Sequence, residues 1–385
     1  MVNRKTTPVD VFTVLRGLLM LLAAPLLSVG LSYLLGWLFF KIGSRLQNPQ
    51  HLGTVLSMVI LVAFLVYNFS VSGSMGDATA MQAQLDAFPP AAWMMRFIAF
   101  GELRALLCVL AVTVLPFALG ICLFSAVYGE KQQSFRSKKT GLDFTARTPR
   151  RALLRKEARR YFASSVYVVN TIFGLVMMAG GTAALLIFRA KALDFLASAE
   201  FFRLILAPLL AMAYSWMAST VYITAASISL EGRSLWILKA NPVETRDIFA
   251  AKIQLNLLVA APVTLLCSAV GAFALRLPLA DALCVMLLPL LTTLLISVGG
   301  LYINLLFPKL DWTEEGAVVK QSMSAMLCFF LGGFFVVVPP VVYLLCFSHV
   351  PFLWAALAIA ALYLLLTAFF WLRLCGDGSR RFAAL

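Results

Sequence analysis

RTPRRALLRKEARRYF, residues 147–162, decides how the rest of the chain is read. Three long hydrophobic runs precede this basic stretch and six follow it. The runs lie near 13–40, 51–72, 102–129, 164–188, 201–229, 252–275, 279–306, 320–346 and 351–374. Each can cross about 30 Å of hydrocarbon at 1.5 Å per residue, and in lipid a helix pairs its own backbone groups. The expected fold is an all-α polytopic integral membrane protein of about nine transmembrane helices. A 62% hydrophobic composition and a mean hydropathy of +0.93 exclude an ordinary soluble domain, where apolar usage is roughly 45–50%.

Charge sets the orientation, because Lys and Arg are retained on the cytoplasmic side. The linker at 130–163 carries Lys131, Arg136, Lys138, Lys139, Arg147, Arg150, Arg151, Arg155, Lys156, Arg159 and Arg160 against Glu130, Asp143 and Glu157. With it inside, the segments 230–251, 307–319 and the tail 373–385 also fall inside. They bring Arg233, Lys239, Arg246, Lys309, Arg373, Arg380 and Arg381. The net charge of +14 therefore reads as a positive-inside bias facing anionic lipid, not as a nucleic-acid surface. Within the linker, Leu153, Leu154, Tyr161 and Phe162 lie among Arg155, Lys156, Arg159 and Arg160, as in an interfacial elbow helix over 151–163, the alternative being an ordinary solvated loop. Membrane lipids are the first expected partner.

The chain carries none of the signatures H-E-x-x-H, G-x-S-x-G or G-x-x-x-x-G-K-[ST]. The seven cysteines lack a C-x-x-C pattern and read as small packing residues, while His51 and His349 are placed near opposite faces. No catalytic, cofactor or metal residues are assigned. Intramembrane charge is scarce and no broken-helix ion site is evident, which weighs against an ion-coupled carrier. Asn170, Asn256 and Asn304 are read as helix-packing contacts or substrate contacts alike.

The loop SLEGRSLWILKANPVETRDIFAAK, 229–252, is more specific. Its first part exposes Trp236 and Ile237 between Arg233 and Lys239. In its second part Asn241 is expected to cap a helix opened by Pro242, with Glu244 at the third position closing a reciprocal cap. Arg246 follows, and Ile248 and Phe249 supply apolar contacts. The segment reads as a platform for a cytoplasmic partner, or as one resting on the membrane surface.

Two stretches, EGRSLWILKANP at 231–242 and YINLLFPKLDWTEEGAVVKQS at 302–322, with the basic LLRKEARRYFASSVYVVN at 153–170, resemble the ABC exporter permease family of Gram-positive bacteria, within the type-2 ABC transporter class. The resemblance implies a multi-pass subunit of a bacterial cell membrane that hydrolyses nothing itself and works with a separate ABC ATP-binding subunit holding ATP and Mg. It also implies coupling residues at Glu231, Arg233, Trp236, Ile237, Lys239, Pro242, Glu244 and Arg246. The substrate is unidentified and possibly of hydrophobic class; the alternatives are an ion-coupled secondary transporter and a non-transporting scaffold or sensor.

Spans seven to nine match spans one to three in order, each pair passing from an aromatic-ended run (LLF or LFF) through a polar loop into a long apolar run. The expected organisation is 1–129 as the last half of a first six-helix unit with an external segment at 72–101, 130–163 as linker and elbow, 164–375 as a complete second unit, and 376–385 as a cytoplasmic tail. A missing N-terminal permease segment, matching 151–275 in length, or a second permease copy is the corresponding expectation. Pro89, Pro90, Trp93, Met94 and Met95 in the external segment are read as an exit lid or as a cap on the helix bundle.

Overall fold

The computed structural model describes residues 10–43, 88–128, 148–198, 200–347 and 349–385. The expected span at 51–72, His51, and the linker cations before residue 148 lie outside them. Among the described residues eight helices are long and apolar enough to cross a membrane, starting at Val11, Leu103, Ser165, Ile205, Thr245, Leu279, Glu315 and Phe352. The protein is an all-helical, multi-pass membrane protein. Its outward faces carry Leu258, Leu266, Phe273 and Leu365, each well exposed, as a surface solvated by lipid tails requires.

The chain forms two compact units, Met1–Asp143 and Phe144–Leu385. In the first, α1 (Val11–Gly43) packs on α3 (Leu103–Tyr128) at two glycines. A Cβ on Gly30 would sit 2.8 Å from the Phe117 backbone nitrogen, and one on Gly120 would sit 2.6 Å from Tyr33 Cβ. Hydrogen in place of a side chain lets the two helices close. The described part of the segment expected to be external contains α2 (Pro89–Phe100), opened by two prolines that need no amide donors there. It ends at Gly101, whose φ of +68° suits glycine, and the Arg16 guanidinium lies over that glycine. Trp93 and Met94 pack on a cluster of Met20, Ala23, Phe97, Ala105 and Val109, so α2 caps the helix ends.

The second unit begins with α4 (Pro149–Ala163), the expected elbow. At Ser164 the chain turns and the serine hydroxyl accepts from Tyr167 N, 3.1 Å, starting α5 (Ser165–Ile187). A short α6 (Arg189–Ser198) leads to α7 (Glu200–Ser219). The expected continuous span at 201–229 is then corrected. Helix α7 stops at Ser219, α8 is one turn (Thr224–Ser227), and a tight turn over Ser229–Ser234 passes through Gly232 at φ +50°. Trp312 Nε1 would lie 3.0 Å from a Cβ at Gly232, so glycine is required both by its conformation and by the space.

The expected cap at Asn241 is also corrected. Asn241 instead closes α9 (Leu235–Ala240), its Nδ2 donating to Ile237 O at 2.6 Å, and takes an extended ψ of 140°. That ψ would itself suit a cap, but Val243 N donates back to Asn241 O at 2.8 Å in a tight turn about Pro242 and Glu244 is extended, so α10 (Thr245–Ala274) opens only at Thr245, with Glu244 at its N-cap and no side-chain cap bond. Helix α11 (Leu279–Leu306) is the hub and the most buried span, packing on α7, α10 and the later helices over 323–346 and 352–373. A turn, α12 (Glu315–Val319), precedes α13 (Met323–Cys346), capped by Ser322 Oγ on Ala325 N. Helix α14 (Phe352–Arg373) runs on through a π-turn into α15 (Ser379–Ala384). The expected tail at 376–385 is thus a packed element: Phe382 is buried edge-on against Phe249, ring centroids 5.6 Å apart.

Candidate functional site: a buried ion cluster beneath an exposed platform

The elbow, the broken segment and the first turns of α10 meet at a cluster of five charged side chains. Lys252 Nζ is wholly buried and donates to Glu157 Oε2 at 2.9 Å, Glu231 Oε1 at 3.0 Å and Ser227 O at 3.0 Å. Lys156 Nζ reaches Glu231 Oε1 at 2.6 Å and Glu157 Oε1 at 3.3 Å, and Arg160 Nη1 reaches Glu231 Oε2 at 2.6 Å. Three cations thus share two carboxylates. Burying an unpaired charge costs several kcal/mol, so the five groups hold one another in place. Glu231 touches all three cations and is the centre of the cluster.

Neutral groups extend this anchoring. Tyr161 is buried against Tyr167, rings 5.0 Å apart, and shares a 2.8 Å hydrogen bond with Thr171 Oγ1. Burial pushes its hydroxyl pKa up to about 12, so it stays protonated. Tyr167 OH donates to Ile223 O at 2.5 Å, at the break after α7. Ser164 Oγ donates to Glu315 Oε2, tying the elbow's end to α12.

Freed backbone groups in the break are satisfied by side chains of the long helices, as buried backbone amides require. Asn256 Oδ1 accepts from Ile223 N at 3.0 Å while its Nδ2 donates to Ser297 Oγ at 2.5 Å. Asn304 Oδ1 accepts from Ile228 N and Ser229 N, 2.8 and 3.1 Å, and its Nδ2 donates to Ser229 Oγ and Ser324 Oγ. These two asparagines, both fully buried, are packing and capping groups. Asn170 donates to Val166 O within its own helix. The sequence showed no broken-helix ion site; the structure has a broken helix and a buried Lys252, whose ammonium is bonded to three protein oxygens.

Above the cluster lies the platform. Trp236 is 66% and Ile237 49% exposed on α9, whose other face buries Leu235 and Leu238. Arg233, Pro242, Glu244 and Arg246 are exposed; Arg246 sits 5.7 Å over the Trp371 ring, and Lys239 Nζ donates to Ala383 O at 3.0 Å. Glu231 is the one predicted coupling residue that is buried. Among the elbow residues Arg155 and Arg159 are exposed, while Lys156 and Arg160 are half-buried in the cluster. A groove of about 280 Å³ separates elbow and platform, lined by Leu153, Lys156, Glu231, Leu238, Val243 and Ile248.

Sequence reading missed Glu157 and Lys252 as partners. A signal for Lys252 was present: Ile248, Lys252 and Asn256 recur every fourth residue on neighbouring turns of α10, and all three are buried. Among the described residues no three His, Cys, Asp or Glu side chains converge as a metal site. Cys267, Cys284 and Cys328 are buried, whereas Cys108, Cys122 and Cys346 are exposed.

No protein-family model, curated protein or solved structure matches this chain. Fold and site together define the class: a polytopic helical membrane protein whose broken helix is held by buried charge, an architecture consistent with a transport-related role.

Proposed function

We propose that the chain is the permease subunit of an ATP-driven exporter of the type-2 ABC class in a bacterial cell membrane, moving an unidentified hydrophobic substrate. Hydrolysis of ATP with Mg belongs to a separate ATP-binding subunit. The observation that carries this reading is the exposure of Trp236 and Ile237 on a short helix joined through Glu231 to both α4 and α10. Aromatic side chains exposed on a fixed support are what a docking surface needs, since interface energy concentrates in a few such anchors. A push on α9 is delivered through Gly232 and Glu231 to Lys252 on α10 and to Arg160 on the elbow. Two membrane helices, α10 and α5, then move with the partner.

The test is capture. Replacing Trp236 and Ile237 with Asp should weaken retention of the co-purifying ATPase while membrane insertion is unchanged. Unchanged retention would place the docking surface elsewhere, and ATP hydrolysis by the purified chain alone would end the reading.

The broken helix and buried Lys252 favour one second reading, an ion-coupled carrier, because discontinuous helices commonly hold coupling ions. Lys252 weakens it: all three of its donors are already committed to protein oxygens. Vesicles decide between them. ATP-dependent movement in the presence of the ATPase supports the exporter; movement driven by an ion gradient without ATP supports the carrier.

A further inference from the structure

Between α13 and α14 lies a cavity of about 500 Å³, lined by Pro339, Val342, Tyr343, Trp354, Ala358 and Leu362 among others. Its position in the bilayer follows from the hydrogen bonds of α13. Ser324, in the first turn of α13, meets Asn304 and Ala225 O beside the broken segment. The Cys346 end of the same helix therefore lies at the opposite membrane face, the outer one by the distribution of Lys and Arg. Trp354 is 63% exposed one turn after Pro351, the place where an amphipathic ring sits at the headgroup level.

The cavity runs inward from there. Trp354 to Leu362 covers about 12 Å of helix at 1.5 Å per residue. That is most of the roughly 15 Å of hydrocarbon belonging to one leaflet. The chemistry of the wall is equally restrictive. The Tyr343 hydroxyl is committed to Val350 O at 3.0 Å, and no charged side chain lines the cavity. Water would find too few polar partners, and an empty apolar void would forfeit its lining's dispersion contacts.

We propose that this cavity is a binding site for one acyl chain of an outer-leaflet phospholipid, with Trp354 at the headgroup end and Leu362 at the tail end. Ala358, a small residue, lines the site from α14 and Pro339 lines it from α13. The proposal needs only the membrane embedding of the chain and is independent of how transport is powered.

The experiment uses the whole protein in vesicles of phosphatidylcholine doped with an analogue carrying a mid-chain diazirine. After illumination, adducts should concentrate on peptides spanning 339–362. They should be lost in Ala358→Phe, which fills the cavity, and kept in Leu365→Phe, which lies on an exposed face of the same helix. Should Ala358→Phe fail to fold, Val342→Phe fills the cavity from α13. A detergent-purified sample read by native mass should likewise lose one phospholipid in the filled variant. Adducts spread evenly over α14, or unchanged in the filled variants, would overturn the proposal. So would cross-linking of the cavity residues to a second polypeptide in place of lipid.

Discussion

Lys252 and Glu231 lie 21 positions apart in sequence, and their charged atoms lie 3.0 Å apart in a site from which solvent is excluded. The pair joins a membrane helix to the turn that carries the exposed platform. A third party, Glu157 on the elbow, holds the other side of the same ammonium at 2.9 Å. One buried charge thereby fixes three elements.

Neutralising Glu231 should cost more than neutralising Glu157. Glu231 balances Lys156, Arg160 and Lys252, whereas Glu157 has only two of these partners, one of them at 3.3 Å. Breaking a buried pair costs about 3–5 kcal/mol because the remaining charge is stranded. The expected order of thermal stability in detergent is wild type, then E157Q, then E231Q. Equal stabilities would show that the cluster is open to water.

Asn304 should be the more sensitive of the two buried asparagines. It makes four hydrogen bonds, two of them to backbone amides in the broken segment, against two for Asn256. At about 0.6 kcal/mol per hydrogen bond within a membrane protein, Asn304→Ala loses about 2 kcal/mol and Asn256→Ala about half of that. Hydrogen exchange across 224–234 reads the result directly. Faster exchange in N304A than in N256A is expected.

How much of this was legible follows from the kind of signal each feature leaves. Long apolar runs announce themselves, and eight of the nine expected spans coincide with described helices. The break after Ser219 left no such mark, because Thr220–Ile223 is not proline-rich and the residues that satisfy it, Asn256 and Asn304, come from helices far along the chain. Pro242 misled in the other direction. A proline opens a helix well, yet here it sits in a tight turn in which Val243 N donates to Asn241 O, and α10 opens only at Thr245. Trp236 and Ile237 were legible as exposed since two large apolar residues between Arg233 and Lys239 leave Leu235 and Leu238 to face inward. Glu157 was hidden by its basic neighbours, where it counted only as one of the linker's three acidic residues.

Phe382 should support the platform from beneath. It is buried with Ile228, Leu235, Leu238 and Phe249 in one apolar cluster, and the neighbouring Ala383 carbonyl accepts from Lys239. Phe382→Ala is expected to destabilise by about 3 kcal/mol, toward the lower end for a buried aromatic truncation because the helix lies at an end of the fold. Exchange should quicken at 235–240 as well as at 374–385. Quickening confined to 374–385 would show that α15 merely rests on the platform.

Gly174 and Gly181 lie two turns apart on α5, and alanine should distinguish them sharply. A Cβ at Gly174 would stand 1.9 Å from Thr220 Oγ1 and 2.4 Å from the Met217 carbonyl oxygen, whereas one at Gly181 would meet nothing within 4 Å. Overpacking of a tight contact costs about 1–3 kcal/mol. In an exposed helix position, Gly→Ala instead gains up to about 1 kcal/mol. Gly174→Ala should therefore lower the melting temperature and Gly181→Ala should hold or raise it. Adding Thr220→Ala to Gly174→Ala removes the hydroxyl but leaves the backbone oxygen of Met217 in the way, so the double variant should recover only part of the loss. Full recovery would mean that α5 and α7 are separated by side chains alone, and that the break after Ser219 is not held by backbone contact.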